Sequence, residues 1–283
     1  METMLAWWAL LVAVTALGAV SQAAVGLGFS LLTLPFYLLL LEVRDAVQLA
    51  MILTIAITAA MLPRVWRDVP RRTARDLLLG SLLGFPLGLA FFLHASAAAI
   101  QVAVAATILI ALGATAIKTR RSMHDVHDDV AIKTRHSTHD AHDAHDDTAI
   151  KTQHSTPAAL TATRADFPAV AAGVLSGAMN AAIAMAGPAI AIYLQAVGAG
   201  KATVRATIFF VYAFSYVAAL ALQGYFDGIG AGALNASLYL LPVALLGAHL
   251  GDRLSARLSE RVFARIISCV LIVVALYLLY SAL

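Results

Sequence analysis

The chain is predicted to be an all-α membrane protein built as an inverted-topology repeat. Each half is expected to hold one glycine- or proline-broken re-entrant hairpin and three transmembrane helices. Three observations predict this. The sequence is 61% hydrophobic and only 12% charged, where a soluble domain carries nearer a quarter charged residues. Apolar runs of about 20 residues recur, the length that crosses roughly 30 Å of hydrocarbon. Two long stretches are interrupted by glycine or proline, and folding both back on themselves puts eighteen of the nineteen Lys and Arg residues on one side. That bias is the mark of cytoplasmic loops.

In chain order the apolar runs are Met4–Ala24, Gly28–Leu41, Ala46–Leu62, Leu77–Leu93, Ala97–Ile117, Phe167–Val197, Ala202–Leu222, Ala231–Leu250 and Val262–Leu283. Leu5–Ala24 resembles a secretory signal in length, but no basic residue precedes it, as a signal would require. If Met4–Ala24 and Phe167–Val197 are single crossings, there are eight crossings and the basic residues divide twelve against seven. If Met4–Leu41 and Phe167–Val197 each leave on the side they entered, Lys201, Arg205, Arg253, Arg257, Arg261 and Arg265 join the large basic face. Only Arg44 then remains opposite. The second arrangement predicts six full crossings, both termini outside and a cytoplasmic central loop. Phe167–Val197 has 31 residues, about 46 Å as one helix at 1.5 Å per residue, which suits two arms of half depth. Met4–Ala24 is long enough to cross alone, so the first hairpin fits less closely. The single Cys269 lies in the last run, which excludes an intrachain disulfide and makes it a packing residue.

The domains are expected at 1–117 and 167–283, two transmembrane repeats, joined by a linker at 118–166. Gly28-Phe29-Ser30 falls opposite Gly187-Pro188-Ala189, Ala46-Val47-Gln48-Leu49 opposite Arg205-Ala206-Thr207-Ile208, and Gly84 and Gly88 opposite Gly247 and Gly251. A hairpin plus three crossings is odd, so the second half enters from the other side. In transporters so built the site lies near the midplane, where broken helices of the two halves meet.

The linker is a different material. Ala116-Ile117-Lys118-Thr119-Arg120 recurs nearly unchanged at 131–135 and 149–153, and seven of the nine histidines lie there, five of them in His-Asp pairs. Imidazole with carboxylate suits zinc or nickel. The spacing lacks a fixed tetrahedral pattern, and a duplicated, disordered tether is the preferred reading. His139, His142 and His145 are the weak metal-ligand alternative.

Gly18, Gly26, Gly28 and Pro35 in the first half, with Gly173, Gly177, Gly187 and Pro188, then Arg205-Ala206-Thr207 and the run Gly247–Leu254 in the second, carry a resemblance. Outside the central loop the chain resembles the TauE/SafE family of sulfite exporters and related anion permeases. The resemblance implies a secondary transporter in a bacterial plasma (inner) membrane, not an enzyme, moving sulfite, a sulfonate or another sulfur-containing organic anion without a cofactor. The expected partners are that anion and the lipid bilayer. A homodimer and a coupling proton or ion are left open, and no nucleic acid is expected. A nickel, zinc or cobalt permease loaded by the His-rich loop is the alternative, and a non-transporting membrane scaffold is another.

The site is expected at the two breaks. A broken helix in lipid must be buried in protein or line a cavity, and the first N–H groups of its outgoing arm lack helical partners and sit at a positive dipole end. The candidates are Gln22, Gly26, Gly28 and Ser30 at the first break and Asn180, Gly187 and Pro188 at the second, with Thr207 on the next crossing. Ser21, Thr33, Ser176, Gln195, Thr54 and Tyr212 flank them. No buried Asp or Glu is expected, which removes the usual proton-relay groups, and His249 is expected to be interfacial, near Asp252 and Arg253.

Overall fold

The computed structural model describes residues 2–26, 28–113, 166–254, 272, 276 and 280. Its helices are α1 (Glu2–Val25), α2 (Phe29–Leu40), α3 (Val43–Val65), α4 (Arg71–His94), α5 (Ala97–Gly113), α6 (Phe167–Ile183), α7 (Gly187–Ala196), α8 (Lys201–Asp227) and α9 (Ala231–Leu254). No strand occurs among the described residues. The chain divides into one compact unit, 1–110 with 165–283, and another, 111–164. The second lies almost wholly outside the described residues, as do the repeats of 118–156, the histidines His139, His142 and His145, and Cys269.

Among the described residues five helices, α1, α3, α4, α8 and α9, are long and apolar enough to cross a membrane. The run at 262–283 falls mostly outside the described residues. The chain is thus an all-helical, multi-pass membrane protein. α2, with 12 residues, and α7, with 10, are too short to cross.

The two broken segments differ from the simplest expectation in the length of their arms. α6 and α7 have 17 and 10 residues rather than two equal arms. α1 is one continuous helix of 24 residues. Gly18 does not break it, because the glycine serves a contact instead: its bare backbone lies against Thr33 and Phe29 of α2. Thr15 and Tyr37 hydroxyls join at 2.7 Å between α1 and α2. The Tyr193 hydroxyl, in the last turn of α7, donates to Asp166, which precedes α6, at 3.2 Å. The last turn of α7 therefore lies within side-chain reach of the start of α6.

Small residues set the closest packing. Gly80, Gly84 and Gly88 form a stripe on α4, and a Cβ at any of them would collide with the carbonyl of Val170, Val174 or Ala178 on α6. Gly173 and Gly177 of α6 meet Leu77 and Ser81 in the same way. Such bare stripes bring helix backbones into contact where lipid supplies no hydrophobic drive between helices. Gly247 and Gly251 of α9 lie against Ala16 and Val20 of α1 in the same manner. α3 and α8 pack together at the centre, with α9 against α3 and α4 against α8. Gln48 of α3 pins the α8–α9 turn: its Nε2 donates to the Gly228 carbonyl and its Oε1 accepts the Gly230 N–H, both at 2.9 Å.

Charges gather at the two ends of α3 and α8. At one end Arg44 pairs with Asp227 and donates to the Leu93 carbonyl at 3.2 Å. At the other Arg64 and Arg205 share Asp252. Arg64 and Arg205 therefore meet, and Arg44 stands apart from both. The expectation that no carboxylate is buried is corrected by Asp76, which is 4% exposed on α4. Its burial is made tolerable by Arg75 at 3.0 Å and by the Asp166 N–H at 3.3 Å, since a buried charge needs a counter-charge and donors.

Candidate functional site

Each break is built from a helix end, a short linking turn and a new helix start. At the first, Gly26 and Gly28 take left-handed backbone, φ 84° and 110°, which glycine adopts without the Cβ penalty of other residues. Gly26 is buried with its backbone against Arg205 of α8, and Gly28 is half-buried beside the Ser21 hydroxyl. At the second break Ala184 is left-handed, φ 54°, a strained choice for a residue with a side chain. Its N–H bonds back to the Asn180 carbonyl at 2.9 Å. Gly187 and Pro188 open α7, where the missing proline N–H costs nothing.

Long-helix side chains hold the breaks. Tyr216 of α8, 1% exposed, donates its hydroxyl to the Ala184 carbonyl at 2.7 Å and accepts the Ala186 N–H at 3.4 Å. Ser176 donates to the Ala186 carbonyl at 2.9 Å. At the first break Ser30, the second residue of α2, meets Thr54 of α3 at 3.3 Å.

Gln22 and Asn180 are both fully buried and each stands three residues before the end of its helix. Gln22 Nε2 approaches Thr58 Oγ1 at 3.5 Å, and Asn180 Nδ2 donates to Ser215 Oγ at 3.1 Å. The other end of each amide, Gln22 Oε1 and Asn180 Oδ1, has no hydrogen-bond partner. An amide can rotate by half a turn, and a hydroxyl either donates or accepts. If Thr58 and Ser215 donate instead, both amides turn their NH₂ groups to the vacant side. Each amide can thus present either its oxygen or its NH₂ group on the side away from the hydroxyl.

Of the sequence-derived candidates, the structure gathers Gln22, Gly26, Gly28, Ser30, Asn180, Gly187 and Pro188 around the two breaks. Thr207 is buried but bonds back to the Thr203 carbonyl at 2.7 Å, and Thr33 bonds back to Phe29 at 2.9 Å. Tyr212 is buried against the Tyr216 ring, 4.9 Å between centroids. Gln195 lies at the far end of α7 from the break. His249 is exposed and meets Arg64 at 3.3 Å through Nδ1. Sequence reasoning missed Thr58, Ser215, Tyr216 and Gln223. Gln223 Nε2 donates to the Ala181 carbonyl at 2.8 Å. Eight residues separate Ser215 from Gln223 and four separate Thr54 from Thr58; this helical spacing of polar groups in apolar runs was the available signal. Arg205, read as a loop residue, lies inside α8 with its side chain 20% exposed.

Membrane-length helices surrounding two helix breaks lined by buried, uncharged polar groups define a multi-pass membrane protein. Residues 10–278 match the family model for the sulfite exporter TauE/SafE, and the chain belongs to that family of membrane transporters of sulfite and related anions. No curated protein and no solved structure matches it.

Proposed function

We propose that the chain is a secondary transporter of a small sulfur-containing anion, sulfite or an organic sulfonate, which binds between the two breaks. The observation that carries this reading is the pair of fully buried amides, Gln22 and Asn180, each with an unpartnered polar atom. They belong to a line of buried polar pairs, Gln22 with Thr58, Ser30 with Thr54 and Asn180 with Ser215. The N-terminal turns of α2 and α7 add two positive dipole ends, each worth about 0.3–2 kcal/mol towards an anion. No formal charge stands in that line, so binding is weak enough to reverse, as transport requires.

Mechanistically, α1–α2 and α6–α7 act as re-entrant hairpins of an inverted repeat. The pairing of the α-helices supports this. α4 on α6 has its counterpart in α9 on α1, α3 on α9 in α8 on α4, and α2 on α3 in α7 on α8. α3 on α8 is its own counterpart. The sharing of Asp252 by Arg64 and Arg205, away from Arg44, supports the sorting of basic loops to the cytoplasmic side. Alternating access is then the rocking of one half against the other about the breaks.

The test is protection against thermal unfolding of the purified full-length protein by sulfite, taurine, sulfate, nickel and zinc in turn. A ligand that binds only the folded state raises its melting temperature. Sulfite or taurine should protect, and Asn180→Ala should raise the concentration needed for protection about tenfold; protection by the metals alone would replace this reading with a metal permease. Cysteine labelling at Lys201→Cys tests the topology: reagent reaching it from outside overturns the second hairpin. Deletion of 120–154 should leave protection and uptake intact.

A further inference from the structure

Away from the two buried amides, the end of the bundle formed by α3, α8 and α9 holds two guanidinium groups on one carboxylate. Arg205 Nη2 donates to Asp252 Oδ1 at 2.8 Å, and Arg64 Nη1 donates to the other oxygen. The two arginines differ in setting. The Arg64 side chain is 41% exposed and that of Arg205 20% exposed. Arg205 Nε is buried and has no hydrogen-bond partner. A guanidinium N–H left unmet in a dry site is costly. The Arg fork is met best by an acceptor that offers an oxygen to each of two neighbouring N–H groups, and Asp252 meets only Nη2. The stem of Arg205 lies directly against the first break, since a Cβ on Gly26 would stand 3.2 Å from its Cα and its Cγ. The opposite end of the bundle offers a contrast. There Arg44 and Asp227 pair one to one and a backbone carbonyl takes a second donor of the same arginine.

We infer that Arg205, with Arg64, forms an anion-binding subsite at the approach to the first break, where a small oxyanion exchanges with the Asp252 carboxylate. The inference rests on the anion-transport reading above. Asp252 acts as the internal anion that fills the subsite when no substrate is there. A sulfite or sulfonate group carries three oxygens and can accept from Nε and Nη2 together, which the carboxylate in place does not. Two cations over one carboxylate leave a net positive charge for the incoming anion to neutralise. Displacing Asp252 also unties α9 from α3 and α8, so occupation of the subsite loosens this end of the bundle and leads the anion towards Gly26 and the α2 N-terminus. A phosphate of an anionic lipid headgroup has the same acceptor chemistry as a free oxyanion, and the test separates the two.

The experiment is equilibrium binding of radiolabelled sulfite to the full-length protein in neutral phosphatidylcholine vesicles and in vesicles containing phosphatidylglycerol. Asp252→Asn removes the competing charge and should tighten sulfite binding about tenfold, the weight of one charge-assisted hydrogen bond. Arg205→Gln in the same background should abolish the gain, and Arg205→Gln alone should weaken binding several-fold. The last variant gives a reading even where Asp252→Asn does not fold. Wild-type affinity in Arg205→Gln, or a gain in Asp252→Asn that persists without Arg205, overturns the subsite. A gain seen only without phosphatidylglycerol assigns the arginines to lipid and overturns it as well. Wild-type protein that binds sulfite while Asp252→Asn gains nothing overturns this inference and leaves the proposed site between the breaks standing. Failure of every variant and of the wild type to bind sulfite removes the anion reading and the subsite with it.

Discussion

The two breaks do the same work by different means. Both end one helix inside the bundle and start another. The first does so with backbone that suits glycine, φ 84° at Gly26 and 110° at Gly28, and its first turn is held by a single hydroxyl pair, Ser30 to Thr54 at 3.3 Å. The second puts an alanine in the left-handed region and braces it: Tyr216 and Ser176 satisfy the carbonyls of Ala184 and Ala186. The first break therefore stores its requirement in the main chain and the second in side chains. Mutational sensitivity should divide the same way, at glycines in one and at hydroxyls in the other.

The largest effect is expected at the first break. Gly28→Leu forces a branched side chain into a backbone region that costs it on the order of 1–3 kcal/mol and places bulk beside Ser21, at the site proposed for the anion. Uptake should stop. Gly187→Leu should also stop it, by bulk alone, because Gly187 opens an ordinary helical turn. Gly28→Ala divides the two causes. It keeps the backbone penalty and adds little volume, so it should lower the melting temperature; a wild-type melting curve would show that left-handed backbone is not what sustains this break.

Next comes Tyr216→Phe. Loss of the hydroxyl leaves the Ala184 carbonyl and the Ala186 N–H without their partner, at about 1–3 kcal/mol for each buried group. Thr54→Val at the first break should cost less, about 0.5–1.5 kcal/mol, since it removes one hydroxyl pair and leaves no backbone group of the break without its partner. Chemical or thermal unfolding of both variants checks the order, and equal losses would erase the distinction between a braced and an unbraced break.

Smaller again, and similar in the two halves, should be Gln22→Ala and Asn180→Ala. Each removes one donor to the anion, about 1–2 kcal/mol of affinity, read as the concentration of sulfite needed for thermal protection. A loss in one variant only would mean that the anion rests on a single break.

Most of the helices were legible in the sequence, because membrane length and apolarity are local properties. Ala46–Leu62 lies inside α3, and Ala202–Leu222 inside α8. The break in Phe167–Val197 was legible as well, from Gly187 and Pro188. Which residues meet at the breaks was less so. Gln22 and Asn180 announce themselves, since an amide in an apolar run needs partners. Thr58, Ser215 and Tyr216 do not, because a hydroxyl can always bond back to its own helix, as Thr207 and Thr33 do. The glycines at 80, 84 and 88 carried two signals at once. Two of them, Gly84 and Gly88, were read as marks of a repeat, and the structure adds their use as a bare stripe that admits the α6 backbone. Arg205 was hidden by its closeness to the start of α8, which made a substantially buried cation look like a loop charge.

The smallest expected effect is the most direct comparison of the two breaks. Ala184→Gly relieves a left-handed alanine, worth about 1–2 kcal/mol. It also gives up a buried methyl, about 0.8 kcal/mol, and adds the unfolded-state freedom of glycine, about 0.5–1 kcal/mol. These nearly cancel, so the variant should unfold within about 1 kcal/mol of wild type. Gly26→Ala runs the exchange in reverse, but nothing offsets it: the alanine meets φ 84° and finds Arg205 Cα 3.2 Å from its methyl. It should lose about 1–2 kcal/mol from the backbone alone, and more where α8 fails to yield. Melting curves of the two variants side by side decide the matter. Near-neutrality at Ala184 with a clear loss at Gly26 places the main-chain requirement at the first break, whereas equal losses would mean that the methyl of Ala184 matters to its packing as much as left-handed backbone matters to Gly26.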